Sequence, residues 1–67
     1  MEIRPINKNI HEVLISKGYV WRSKVHSDVY RKDGNIVFIY WSNHNFMMIE
    51  GRVATQKEFA DATQLPK

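Results

Sequence analysis

The side chains in this sequence best suited to moving a proton are His26, Asp28 and His44. Histidine works as a general acid or base near neutral pH, and a carboxylate can orient its ring. His26 and Asp28 lie two positions apart in a segment that reads as one strand, so they share a face. His44 falls in an Asn-rich turn expected at the same end of that hairpin. With Lys24 nearby, such a cluster would suit acid–base cleavage of RNA. A plainer reading gives each histidine a structural place: His11 on the surface of a helix, and His44 in a turn where left-handed angles are tolerated. No metal site is expected, because two histidines and an aspartate over three segments lack zinc or facial-triad spacing. Gly18, Gly34 and Gly51 each stand alone, so there is no phosphate-cradling loop and no cofactor is expected.

The second chemistry the residues could carry is recognition. Lys17, Arg22, Lys24, Arg31 and Lys32 crowd one stretch that holds Asp28 as its acid, while the net charge of the whole chain is +3. A local basic stripe suits nucleic acid, a nucleotide or an acidic protein. It would equally suit a strand edge kept soluble by its lysines. Aromatic residues interleave with these cations. Tyr30, Trp41 and Phe46 form a candidate stacking platform, with Arg22, Lys24, Arg31 and Lys32 placed to follow phosphates.

These residues must be positioned by a small scaffold. The chain has 67 residues and no cysteine, so residues 1–67 read as a single domain held by apolar packing without disulfides. A hydrophobic content of 43% is ordinary for a folded domain. No apolar run approaches the roughly 18 residues that span a bilayer. The start, with Glu2, Arg4 and Pro5, does not resemble a signal peptide. A cytoplasmic protein is the expectation.

Residues 1–6 read as an extended lead-in, since Pro5 disfavours helix at Arg4. A helix is expected over 9–17, capped by Asn9 with Glu12 behind it, or by Asn7 instead. Ile10, Val13, Leu14 and Lys17 share its inner face, and Gly18 suits its left-handed end. An antiparallel sheet should fill 19–50, with strands at Tyr19–Lys24, His26–Lys32, Ile36–Trp41 and Phe46–Ile49. Asp33-Gly34 signals a two-residue type I′ hairpin, and Gly51 a bulge or strand end. A second helix is expected over 55–64, opened by the capping box Thr55-Gln56-Lys57-Glu58 and stopped by Pro66 at the latest. The fold class is therefore α+β, in the order α-β-β-β-(β)-α, a meander sheet with two short helices on one face.

The Asp33-Gly34 turn pairs Arg31 with Ile36, Tyr30 with Val37, Val29 with Phe38, Asp28 with Ile39 and Ser27 with Tyr40, and points His26 toward Trp41. A second turn centred on Asn43-His44 would pair Trp41 with Phe46 and Phe38 with Ile49. On that register one face gathers Val25, Val29, Ile36, Phe38, Tyr40, Met47 and Ile49, and the helices are expected to cover it. The other gathers Tyr30, Val37, Ile39, Trp41, Phe46 and Met48 with His26, Asp28, Lys32 and Glu50. It is expected to stay open, as an interaction site, or to be closed by a homodimer or by the lead-in with Ile3 and Ile6.

Two segments carry partial resemblances. Lys17-Gly18-Tyr19 after a helix, then His26-Ser27 and Tyr30-Arg31 ahead of Asp33-Gly34, looks loosely like the HicA-type toxins. Those are small RNA-cleaving proteins with a double-stranded-RNA-binding-like fold, and the resemblance implies a ribonuclease using His26. Their Gly-Ser-His motif is replaced here by Val25-His26-Ser27-Asp28, without the glycine and with the histidine displaced. Thr55-Gln56-Lys57-Glu58-Phe59-Ala60 looks like the opening helix of a helix-turn-helix domain, and a capped amphipathic helix explains it equally well.

The leading expectation is a non-enzymatic binding module for nucleic acid, single-stranded or RNA. The alternatives are a small phage- or mobile-element-type protein that inhibits or regulates a protein partner through the same aromatic face, and the HicA-like ribonuclease.

Overall fold

The computed structural model describes residues 4–64. The expectations for Ile3 and for a helix stop at Pro66 lie outside them. The elements are α1 (Lys8–Ser16), β1 (Val20–Ser23), β2 (Ser27–Lys32), β3 (Asn35–Tyr40), β4 (Phe46–Ile49), β5 (Arg52–Val53) and α2 (Gln56–Thr63). The sheet is an antiparallel meander of five strands in sequence order, and both helices pack on one face of it. The meander and the two helices are as the sequence pattern predicts, and the short β5 is additional.

Helix α1 begins one turn signal earlier than Asn9. Asn7 is its cap, with Oδ1 accepting from the Ile10 amide at 3.0 Å. The helix closes at Gly18, whose φ is +97°. The Gly18 amide donates to the Ile15 carbonyl at 3.0 Å and the Tyr19 amide to the Leu14 carbonyl at 3.0 Å. That pair of bonds is a Schellman closure. It also delivers Tyr19 and Leu14 together into the core.

The core lies between the helices and the sheet. Leu14, Tyr19, Tyr30, Val37, Ile39 and Met47 are buried there, with Ile6, Ile10, Trp21, Ile49, Ala54, Phe59 and Ala62 packed around them. The lead-in is held by a specific bond: the Ile6 amide donates to Asp28 Oδ2 at 2.8 Å. A buried carboxylate without such a donor would be costly.

The β2–β3 register is as predicted, from Ser27 opposite Tyr40 to Arg31 opposite Ile36, and extends to Lys32 opposite Asn35. The turn differs from the expected type I′. Asp33 takes positive φ, at 52°, and Gly34 does not. Gly34 is instead a point of close approach: a Cβ there would lie 3.0 Å from Glu50 Cγ, and the Glu50 amide donates to its carbonyl at 2.9 Å.

The β3–β4 register corrects the prediction. Phe38 faces Phe46, and Asn35 faces Ile49. The connection is wider than a tight Asn43-His44 turn, because the Tyr40 amide is taken by Asn45 Oδ1 at 2.8 Å and Asn43 occupies a left-handed position at φ 66°. A three-residue slip moves β4 by an odd number and exchanges its faces relative to β3. Gly51 marks the end of β4 and is not a bulge. Glu50 and Gly51 both have positive φ, 47° and 86°, the type I′ pattern that folds β5 back onto β4.

Candidate nucleic-acid interface

With five strands in register, side chains opposite one another share a face. One row across the sheet runs Arg22, Val29, Phe38, Phe46, and the next runs Val20, Arg31, Ile36, Met48, Val53. Tyr40, opposite Ser27, extends the aromatic set on the same side. These rows lie on the face away from the helices. The helices cover the alternate residues Trp21, Asp28, Tyr30, Val37, Ile39, Met47 and Ile49.

This corrects the expected choice of face. Val29, Phe38 and Tyr40 were expected under the helices and lie on the open side. Tyr30, Val37 and Ile39 were expected on the open side and lie in the core. The physical reason is that both faces of β3 and β4 are apolar, and the polar atoms of β2 that suggested exposure are satisfied inside. Asp28 receives the Ile6 amide, and the Tyr30 hydroxyl lies 2.8 Å from His11 Nδ1. Burial, and secondly the nearby Asp28 charge, push the Tyr30 phenol well above its ordinary range, which keeps it neutral in the core. His11 is thus engaged by the core, edge-on to Trp21 at 4.6 Å between ring centroids, and is not the free surface residue expected.

The basic stripe divides by what its side chains touch. Lys17 Nζ donates to the carbonyls of Asp61 and Ala62, both at 2.9 Å, at the end of α2. Lys32 Nζ donates to the Lys17 carbonyl at 2.6 Å, at the end of α1, and sits over the Tyr19 ring. Cations at helix C-termini stabilise the exposed carbonyls. Lys32 is thus tied to the end of α1, on the helix side of the sheet. Arg22, Lys24 and Arg31 remain, exposed on the open face, with no side-chain hydrogen bond or ion pair among the described residues.

Of the aromatic residues expected on the open face, Phe46 lies there, beside Phe38 and Tyr40. Phe38 and Phe46 stack at 4.6 Å between centroids and 17° between planes, and Tyr40 and Phe46 lie parallel at 6.1 Å and 12°. Trp41 is 69% exposed, in the β3–β4 connection outside this stack. Beside Phe38 the small Val29, 7% exposed, leaves a depression of about 360 Å³ lined by Arg22, Lys24, Val29, Arg31 and Phe38. Cations and an aromatic wall therefore meet in one concavity with no acidic residue in its lining.

The residues suited to proton transfer differ in exposure. Asp28 is buried and committed to Ile6, while His26 and His44 are exposed in separate turns. Among the described residues no group of three His, Asp or Glu side chains is placed to hold a metal ion. Compared with known proteins, the chain matches no family model, no curated protein and no solved structure.

Sequence reasoning missed Val29, Phe38 and Tyr40 as residues of the open face. The signal was present in β1. Once Arg22 is opposed to Val29 and Val20 to Arg31, two arginines fall on the Phe38 side. Two unpaired arginines mark a face that stays in water.

Proposed function

We propose that this domain is a non-enzymatic binding module that takes nucleic acid on the open sheet face. The observation that carries this is the shared face of Phe38, Phe46 and Tyr40 with Arg22, Lys24 and Arg31, cations with no acidic partner among the described residues. Aromatic side chains stack bases whatever their sequence, and guanidinium and ammonium groups neutralise phosphate. The test is a fluorescence-anisotropy titration with labelled RNA and DNA oligonucleotides at low and moderate salt. Binding that weakens as salt rises is the expected result. Absence of binding to every oligonucleotide at low salt sinks the proposal.

A protein partner is a second reading, the one expected of a small inhibitor or regulator. Its support is the row Val20, Ile36, Met48, Val53, whose outer members are both 64% exposed. Binding through that row would depend little on salt, which separates the two readings.

A further inference from the structure

We infer that the depression beside Phe38 is a slot for a single unpaired nucleobase, which extends the aromatic stack by one ring while the adjoining phosphates rest on Lys24 and Arg31. The inference rests on the nucleic-acid reading and adds to it a preference for single strands over duplex.

Its geometry follows from the row Arg22, Val29, Phe38, Phe46. Neighbouring strands lie about 4.8 Å apart, so Phe38 and Arg22, two strands apart, are separated by about 9.6 Å across Val29. A flat ring in van der Waals contact on both sides needs about 7–8 Å. The short valine between two long side chains leaves that gap open, and the depression of about 360 Å³ is the result. It lies near the lower end of the roughly 300–1,000 Å³ of small-molecule sites. One wall is the Phe38 ring, already stacked on Phe46 on its other side. Arg22 lines the depression across Val29 from Phe38, and its guanidinium is a planar cation that stacks on bases as readily as it pairs with phosphate.

A paired base cannot use this slot, because its faces are already covered by its neighbours in the helix. A duplex can offer the open face only its phosphates. Stacking should therefore strengthen binding of single strands alone, and charge should act on both forms.

The test uses anisotropy at one low salt concentration with three labelled probes of about eight nucleotides, a length within the usual single-strand site sizes. They are oligouridylate, the same ribose-phosphate backbone without bases, and an RNA duplex. Oligouridylate should bind tightest, with the abasic strand weaker by about 5- to 150-fold, the value of one stacked base. Phe38→Leu should lower oligouridylate affinity by a similar factor and leave the duplex unchanged, with its fold checked by circular dichroism. Val29→Leu, which narrows the depression and removes no aromatic ring, should give the same loss and decides the question if Phe38→Leu is misfolded; unchanged affinity in that variant overturns the slot. Equal affinity for all three probes overturns the slot and leaves a purely electrostatic nucleic-acid binder. No binding to any probe, or a dimer by sedimentation that buries this face, overturns both the slot and the reading beneath it.

Discussion

Residue Glu50 occupies a backbone position that its side chain does not favour. With φ at 47° it sits in the left-handed region, which costs an ordinary L-residue about 1–2 kcal/mol and asparagine far less. Glu50 makes no side-chain hydrogen bond among the described residues. Glu50→Asn should therefore raise stability by about 0.5–1 kcal/mol, or a few degrees in thermal midpoint for a domain of this size. A calorimetric midpoint that stays the same or falls would show that the β4–β5 turn is not under that strain. The same residue explains why β5 was not legible in the sequence. Glu-Gly is not a recognised hairpin dipeptide, whereas Asp-Gly is, and that is why the β2–β3 register was recoverable residue by residue. The Asp33 turn shows the limit of the rule: the pairing follows from its two-residue length, but the left-handed residue is the aspartate, with the glycine needed for room beside Glu50.

Among the elements, α2 depends most on polar contacts. It has eight residues and none of them is fully buried, and a helix that short is unstable alone. Thr55 and Glu58 close a capping box, Arg52 grips both Glu58 oxygens at 2.9 and 2.8 Å, and Lys17 holds the far end. The Arg52 hydrogen bonds first, then the Thr55 amide, lower the Glu58 carboxyl from about 4.5 to about 2. A depressed folded value means the charged carboxylate favours the folded state. That contribution is complete above the ordinary value and is lost as pH falls from about 4.5 through about 2. Wild type should thus exceed Glu58→Gln in thermal midpoint at neutral pH, and the gap should close toward pH 2. A gap that is constant with pH would assign the effect to shape and not to charge. This capping box was legible because its signals are four adjacent residues. The β4 register was not, because it depends on Asn45 reaching across to the Tyr40 amide, a side-chain choice that no periodicity encodes.

For the whole molecule, the decisive question was which face of a doubly apolar sheet the helices would take, and that choice distributes the charge. Of the five cations in the Lys17–Lys32 stretch, Lys17 and Lys32 bond helix carbonyls while Arg22, Lys24 and Arg31 stand on the open face. A stripe that looks uniform in sequence should therefore behave as two populations. If Lys24 and Arg31 each neutralise one phosphate while Arg22 stacks on the base, the logarithm of affinity for single strands should fall with the logarithm of salt at a slope of about −1.4. The double variant Arg22→Gln, Arg31→Gln should flatten that slope to about −0.7, one remaining contact, with its melting little changed. Lys17→Met should do the reverse, keeping the slope while losing about 1 kcal/mol of stability, because it strips the carbonyls at the end of α2 of their cation. Paired salt titrations and melts on these variants would separate the populations. If Lys17→Met flattened the slope as much as the arginine pair, binding would follow net charge and the open face would have no privileged role. If the slopes divide as the structure places the side chains, the sheet surface away from the helices is where the anion lies.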